Sequence, residues 1–90
     1  MTNTIFPGAR LFQIKATHGV PLDISLDLLF HRCQLRVDWQ GFVDEARRNH
    51  WWDFQTLEVI QNALAEVLDH AEQQAIVLRL KRYMLENPLR

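Results

Sequence analysis

Asp53-Phe54-Gln55-Thr56-Leu57-Glu58-Val59-Ile60-Gln61-Asn62-Ala63-Leu64-Ala65-Glu66-Val67-Leu68-Asp69-His70 is the stretch that decides the fold class of this chain. Leu57, Ile60, Leu64, Val67 and Leu68 recur with a three-four rhythm, the spacing that lines one face of an α-helix. No Gly or Pro interrupts the run. Asp53 is placed to cap its start by accepting a hydrogen bond from a free amide of the first turn. Asp69 followed by Glu72 resembles a capping box and announces a second helix, with Ile76, Val77, Leu80, Tyr83 and Met84 facing inward. Nothing in the sequence separates the two segments, so one long helix is the alternative. Long helices are uncommon in compact domains, and a break near His70 is preferred. Pro88 ends the last helix, and residues 88–90 are expected to fray.

The same pattern extends towards the N-terminus. Asp38 is set to cap a helix that places Trp39, Phe42, Val43 and Ala46 on one side, with Gly41 inside it costing roughly 1 kcal/mol relative to Ala. Pro21-Leu22-Asp23 opens an earlier helix. There Asp23 is read as the cap, and Leu26, Leu29, Phe30 and Cys33 as its apolar face. The link Gln34-Leu35-Arg36-Val37 carries two apolar residues and is expected to pack. From Ala9 to Thr17 helical and strand spacings compete; a short helix ending at Gly19 is the expectation, because glycine readily takes the left-handed conformation there. Pro7-Gly8 closes a flexible N-terminal arm, residues 1–8. The sum is an all-α fold, a compact bundle of four or five short helices forming one domain over residues 1–90.

Composition agrees. Ninety residues suffice for a single core, and 48% hydrophobic with 23% charged residues lies far from the signature of disorder. The net charge of −1 excludes a globally basic nucleic-acid binder, so any such role must rest on a local patch. A lone cysteine, Cys33, rules out an intramolecular disulfide and fits a reducing compartment. The N-terminus has neither a basic start nor an apolar run, and no stretch approaches the ~20 apolar residues of a membrane span. A cytoplasmic protein is the expectation.

Catalytic and metal motifs are absent from the sequence. His31-Arg32-Cys33, together with His18, His50 and His70, brings possible ligands to mind. Zinc sites, however, are announced by short paired spacings that do not occur here. Two residues apart on a helix, His31 and Cys33 point to different sides, which is unsuited to a nucleophile and its base. No cofactor, metal or enzymatic activity is expected.

His50-Trp51-Trp52 is the most unusual local feature. Helical neighbours lie about 100° apart, so two adjacent tryptophans cannot share one core direction. Either the segment plugs the end of the core, or one ring anchors a partner, as tryptophans often do at interfaces. Arg47 and Arg48 lie just upstream. Arg79, Lys81 and Arg82 cluster near the C-terminus with Arg90 beyond and only Glu86 opposing, which suits the negative end of a helix dipole.

Two linked segments carry a family resemblance. Thr17-His18-Gly19-Val20-Pro21-Leu22-Asp23-Ile24-Ser25 resembles the L-Y-D-T-Y-G-F-P-x-D-L-T stretch of alanyl-tRNA synthetases. Val37-Asp38-Trp39-Gln40-Gly41-Phe42-Val43-Asp44-Glu45 resembles the V-D-x-x-G-F-E element that follows it there at a similar distance. The likeness runs from Leu11 to about Glu45. It implies the helical unit that handles the tRNA acceptor stem, without the aminoacylation motifs or the editing His and Cys cluster. Where the family carries an acidic residue and a tyrosine, this chain has Ala16 and Lys15.

Two functions follow as expectations. The first is a non-catalytic interaction module that binds a protein partner or self-associates through His50, Trp51 and Trp52 or along the last two helices. The second is a tRNA-binding accessory module that uses Arg47, Arg48, Arg79, Lys81 and Arg82.

Overall fold

The computed structural model describes residues 4–88. Among them five α-helices dominate: α1 (Gly8–His18), α2 (Leu22–Asp27), α3 (Trp39–Arg48), α4 (Asp53–Val67) and α5 (His70–Glu86). A π turn, Leu28–Arg32, continues α2, and two short strands, β1 (Ile5–Phe6) and β2 (Arg36–Val37), complete the set. The all-α expectation holds. The radius of gyration is 12.5 Å, close to the roughly 12 Å of a well-packed chain of this length.

Leu11, Phe12, Leu26, Phe42, Val43, Ala46, Ile60 and Leu64 form the centre of the core. They come from four different helices, so no helix buries its stripe without the others. Burying each large apolar side chain stabilises the fold by roughly 1.5–3 kcal/mol. The Phe12 and Phe42 rings meet edge-to-face at 5.4 Å, the arrangement their quadrupoles favour.

At the α4–α5 joint the chain breaks where the capping pair indicates. Leu68 turns to extended backbone, and the Asp69 carboxylate accepts the Glu72 amide at 2.9 Å. Asp38 caps α3 in the same manner, accepting the Gly41 amide at 3.1 Å. Gly19 takes the left-handed conformation that ends α1, with φ of 70°.

Four expectations need correction. The N-terminal arm is tied down: Ile5 and Phe6 pair in parallel with Arg36 and Val37. The Arg36 amide donates to Thr4 and the Asp38 amide to Phe6. Gly8 then starts α1 in close contact with α3, where a Cβ would overlap the Asp38 carbonyl oxygen and the Phe42 nitrogen. Residues 1–3 of that arm and residues 89–90 of the frayed end lie outside the described residues.

Asp23 makes no capping bond and sits inside the first turn of α2, which Pro21 precedes in extended conformation. An acidic side chain there still suits the positive end of the helix. Cys33 is exposed rather than in the core. The π turn explains it: the Cys33 amide bonds to Leu28, five residues back, and this wider turn rotates later residues off the buried stripe. Finally, Asp53 does not cap α4. Trp52 holds the cap position and Asp53 is the first helical residue, its carboxylate engaged elsewhere.

Candidate functional site

The segment Asn49-His50-Trp51-Trp52 closes α3 and opens α4, and local backbone chemistry separates the two tryptophans. His50 is left-handed, with φ of 66°. Its amide bonds to the Arg47 carbonyl and the Trp51 amide reaches back to Ala46. These two bonds are the Schellman ending of a helix, in which the residue after the left-handed one folds back onto the last turn. Trp51 is that residue. Its ring meets Phe12 edge-to-face at 5.0 Å and packs against the core. Trp52, one residue on, is extended, and its ring is 66% exposed.

The two rings therefore part company: Trp51 lies against the core and Trp52 stands at the surface. His50 is exposed, and its evident part is the turn.

Phe54, 72% exposed, follows Trp52 on the first turn of α4. It was missed as a site residue, yet it lies about 120° around the helix from Ile60, off the buried stripe. Leu85, 82% exposed near the end of α5, is likewise out of phase with Leu80 and Met84. A phase test at every large apolar residue would have found both.

Arg47 fixes the backbone that carries these side chains. Its Nε and Nη2 donate to the two carboxylate oxygens of Asp53 at 3.0 and 2.8 Å, and its Nη1 donates to the Asn87 carbonyl. One guanidinium thus joins the end of α3, the start of α4 and the end of α5. The forked geometry matches a carboxylate with two parallel bonds. The Asp53 hydrogen bond raises the Arg47 pKa above its ordinary value, outweighing the opposite pull of burial. Beside it, the Tyr83 hydroxyl donates to Asp44 at 2.7 Å. That bond, reinforced by burial, raises the phenol pKa. Thr56, the buried polar residue of α4, donates back to the Trp52 carbonyl at 3.2 Å.

The remaining candidates are dispersed. Arg48 pairs with Glu45 at 3.1 Å. Lys81 and Arg82 are exposed along α5, while Arg79 stands in the wall of a groove beside β2. The five cations proposed for RNA therefore fall into different settings, with Arg47 satisfied inside the protein. His31 lies 2.9 Å from the Val67 carbonyl and 4.0 Å from Asp27, joining the π turn to the end of α4. No three His, Cys, Asp or Glu side chains converge in a metal-like group among the described residues. Nor is any helix among them long and apolar enough to cross a membrane.

Compared with known proteins, the chain matches no family model, no curated protein and no solved structure.

Proposed function

We propose that this chain is a non-catalytic helical interaction module that docks another protein chain, a second copy included, through the corner bearing Trp52 and Phe54. One observation carries the reading: two large aromatic side chains, 66% and 72% exposed, stand two residues apart on backbone held rigid by Arg47 and Asp53. Scattered exposed apolar residues are ordinary on protein surfaces. Two neighbouring aromatics on a fixed scaffold are a different case, because they lose little conformational entropy when covered and tryptophan is enriched among binding hot spots. Leu85 belongs to the same end of the molecule through the Arg47–Asn87 bond. The alternative, a tRNA-binding accessory module, has weaker support, since Arg47 is engaged within the fold and Arg48 is paired with Glu45.

Sedimentation equilibrium from micromolar to millimolar protein tests self-association, and affinity capture with the purified chain as bait tests a foreign partner. The double variant Trp52→Ser/Phe54→Ser should keep the wild-type thermal midpoint and lose whichever association the wild type shows. An association undiminished in that variant, or none in either assay, would refute the proposal.

A further inference from the structure

We infer that a second binding site lies at the opposite end of the long helices, where the free edge of β2 takes up an extended, acidic peptide segment as an added strand. This site is independent of the Trp52 corner.

The register of the strand pair sets the argument. The Arg36 amide bonds to Thr4, just before β1, and the Asp38 amide to Phe6 within it. In a strand, successive residues direct their main-chain polar groups to alternate sides. The Val37 amide and carbonyl therefore face away from β1, and neither makes a hydrogen bond among the described residues. β2 is thus a sheet edge with one complete donor–acceptor pair open, the arrangement that strand addition uses.

Val37 also lines a groove. Two adjoining depressions of about 780 Å³ and 440 Å³ share Arg36, Val37, Trp39, Ile76 and Arg79. Val37, Trp39 and Ile76 supply an apolar floor that is only partly buried.

Charge selects the occupant. Arg36 and Arg79 are exposed and have no carboxylate partner among the described residues. Of the acidic residues lining the groove, Asp38 and Asp69 already accept helix-cap hydrogen bonds. Glu72 lies towards the α4–α5 joint, beside Asp69, and does not line the smaller depression next to Ile5. The smaller depression thus sets two guanidiniums against one carboxylate, Asp38, a net positive balance, whereas in the larger Asp69 and Glu72 offset the same two guanidiniums. An extended segment with apolar residues alternating with Asp or Glu matches the smaller depression: its backbone pairs with Val37, one side of it rests on Trp39 and Ile76, and a carboxylate reaches the two guanidiniums.

The test is a titration of the full chain with the capped peptide Val-Glu-Val-Glu-Val, followed through backbone amide signals by NMR. Saturable shifts at Val37 and Ile76, with slowed hydrogen exchange of the Val37 amide, are expected. The variant Arg36→Glu/Arg79→Glu should keep its fold, since both side chains are exposed, and lose about tenfold or more in affinity. The Lys-for-Glu peptide should bind as weakly, and a backbone N-methylated peptide should not bind. No shift at Val37 at millimolar peptide, or equal binding by the lysine or N-methylated peptide, would overturn the inference. So would shifts confined to Trp52 and Phe54.

Discussion

The two ends of this bundle carry the same residue types and use them in opposite ways. At the α3–α4 corner an arginine, a tryptophan and two carboxylates are turned inward: Arg47 is bonded to Asp53 and Asn87, Tyr83 to Asp44, and Trp51 lies against Phe12. At the groove Arg36 and Arg79 have no carboxylate partner among the described residues, Trp39 is only partly covered, and a main-chain donor and acceptor are open. A polar group satisfied inside the protein holds the fold. One left open at the surface contributes little to stability and is available to a ligand. Residue type alone does not distinguish the two cases, and partner geometry does.

The largest test of this contrast divides the tryptophan pair. Trp51→Ala should destabilise by about 3 kcal/mol, because it opens a void beside Phe12. Trp52→Ala should change stability by less than about 0.5 kcal/mol. Chemical denaturation of both variants measures the difference, and equal losses would erase the distinction between an inward and an outward ring.

Next in size is the arginine comparison. Arg47→Ala leaves Asp53 without its partner at a site where the two side chains are 12% and 29% exposed, and a loss of about 2 kcal/mol is expected. Arg79→Ala and Arg36→Ala should lie within about 0.5 kcal/mol of wild type. A large loss at Arg79 would mean that the groove, too, is built for stability.

Tyr83 extends the test to pH. The hydrogen bond to Asp44, then burial, raises its pKa in the folded state above the ordinary value of about 10. A raised folded pKa contributes stability that is fully present below the unfolded value and lost as pH rises through the folded one. Tyr83→Phe should therefore cost about 1 kcal/mol at neutral pH and flatten the alkaline decline. Tyr83 is the sole tyrosine, so tyrosinate absorbance reads its titration directly. An unshifted phenol would remove this bond from the corner's inventory.

The smallest expected effect has the opposite sign. His50 holds a left-handed backbone that glycine adopts without strain, so His50→Gly should stabilise by about 0.5–1 kcal/mol. A loss would show that the imidazole contributes more than the turn requires.

How much of this was legible beforehand varies by residue. Asp38 and Asp69 were readable as caps because capping is local: a short acceptor, a free amide three residues on, and an apolar run behind them. Asp53 met the same criteria and failed them, since Arg47 offered its carboxylate a stronger bond than a helix amide. Cys33 fits the apolar period of its helix until the π turn shifts the phase, and no residue type signals that turn. Of the site residues, the pair Trp51 and Trp52 was expected to split on helical geometry, yet both lie between helices, and the turn at His50 separates them. The direction each ring took was not foreseeable, because it hangs on a left-handed His50 where glycine or asparagine is usual.

The sequence by itself determined the all-α class, the buried stripe of α4 and the caps at Asp38 and Asp69, because apolar period and capping act within a few residues. Tertiary structure decided which charges are satisfied, which tryptophan faces water, and that Ile5 and Phe6 pair with a strand some thirty residues away. These outcomes depend on which helix ends meet. Spatial neighbours distant along the chain leave no mark in local periodicity, since each partner would suit its own segment equally well alone.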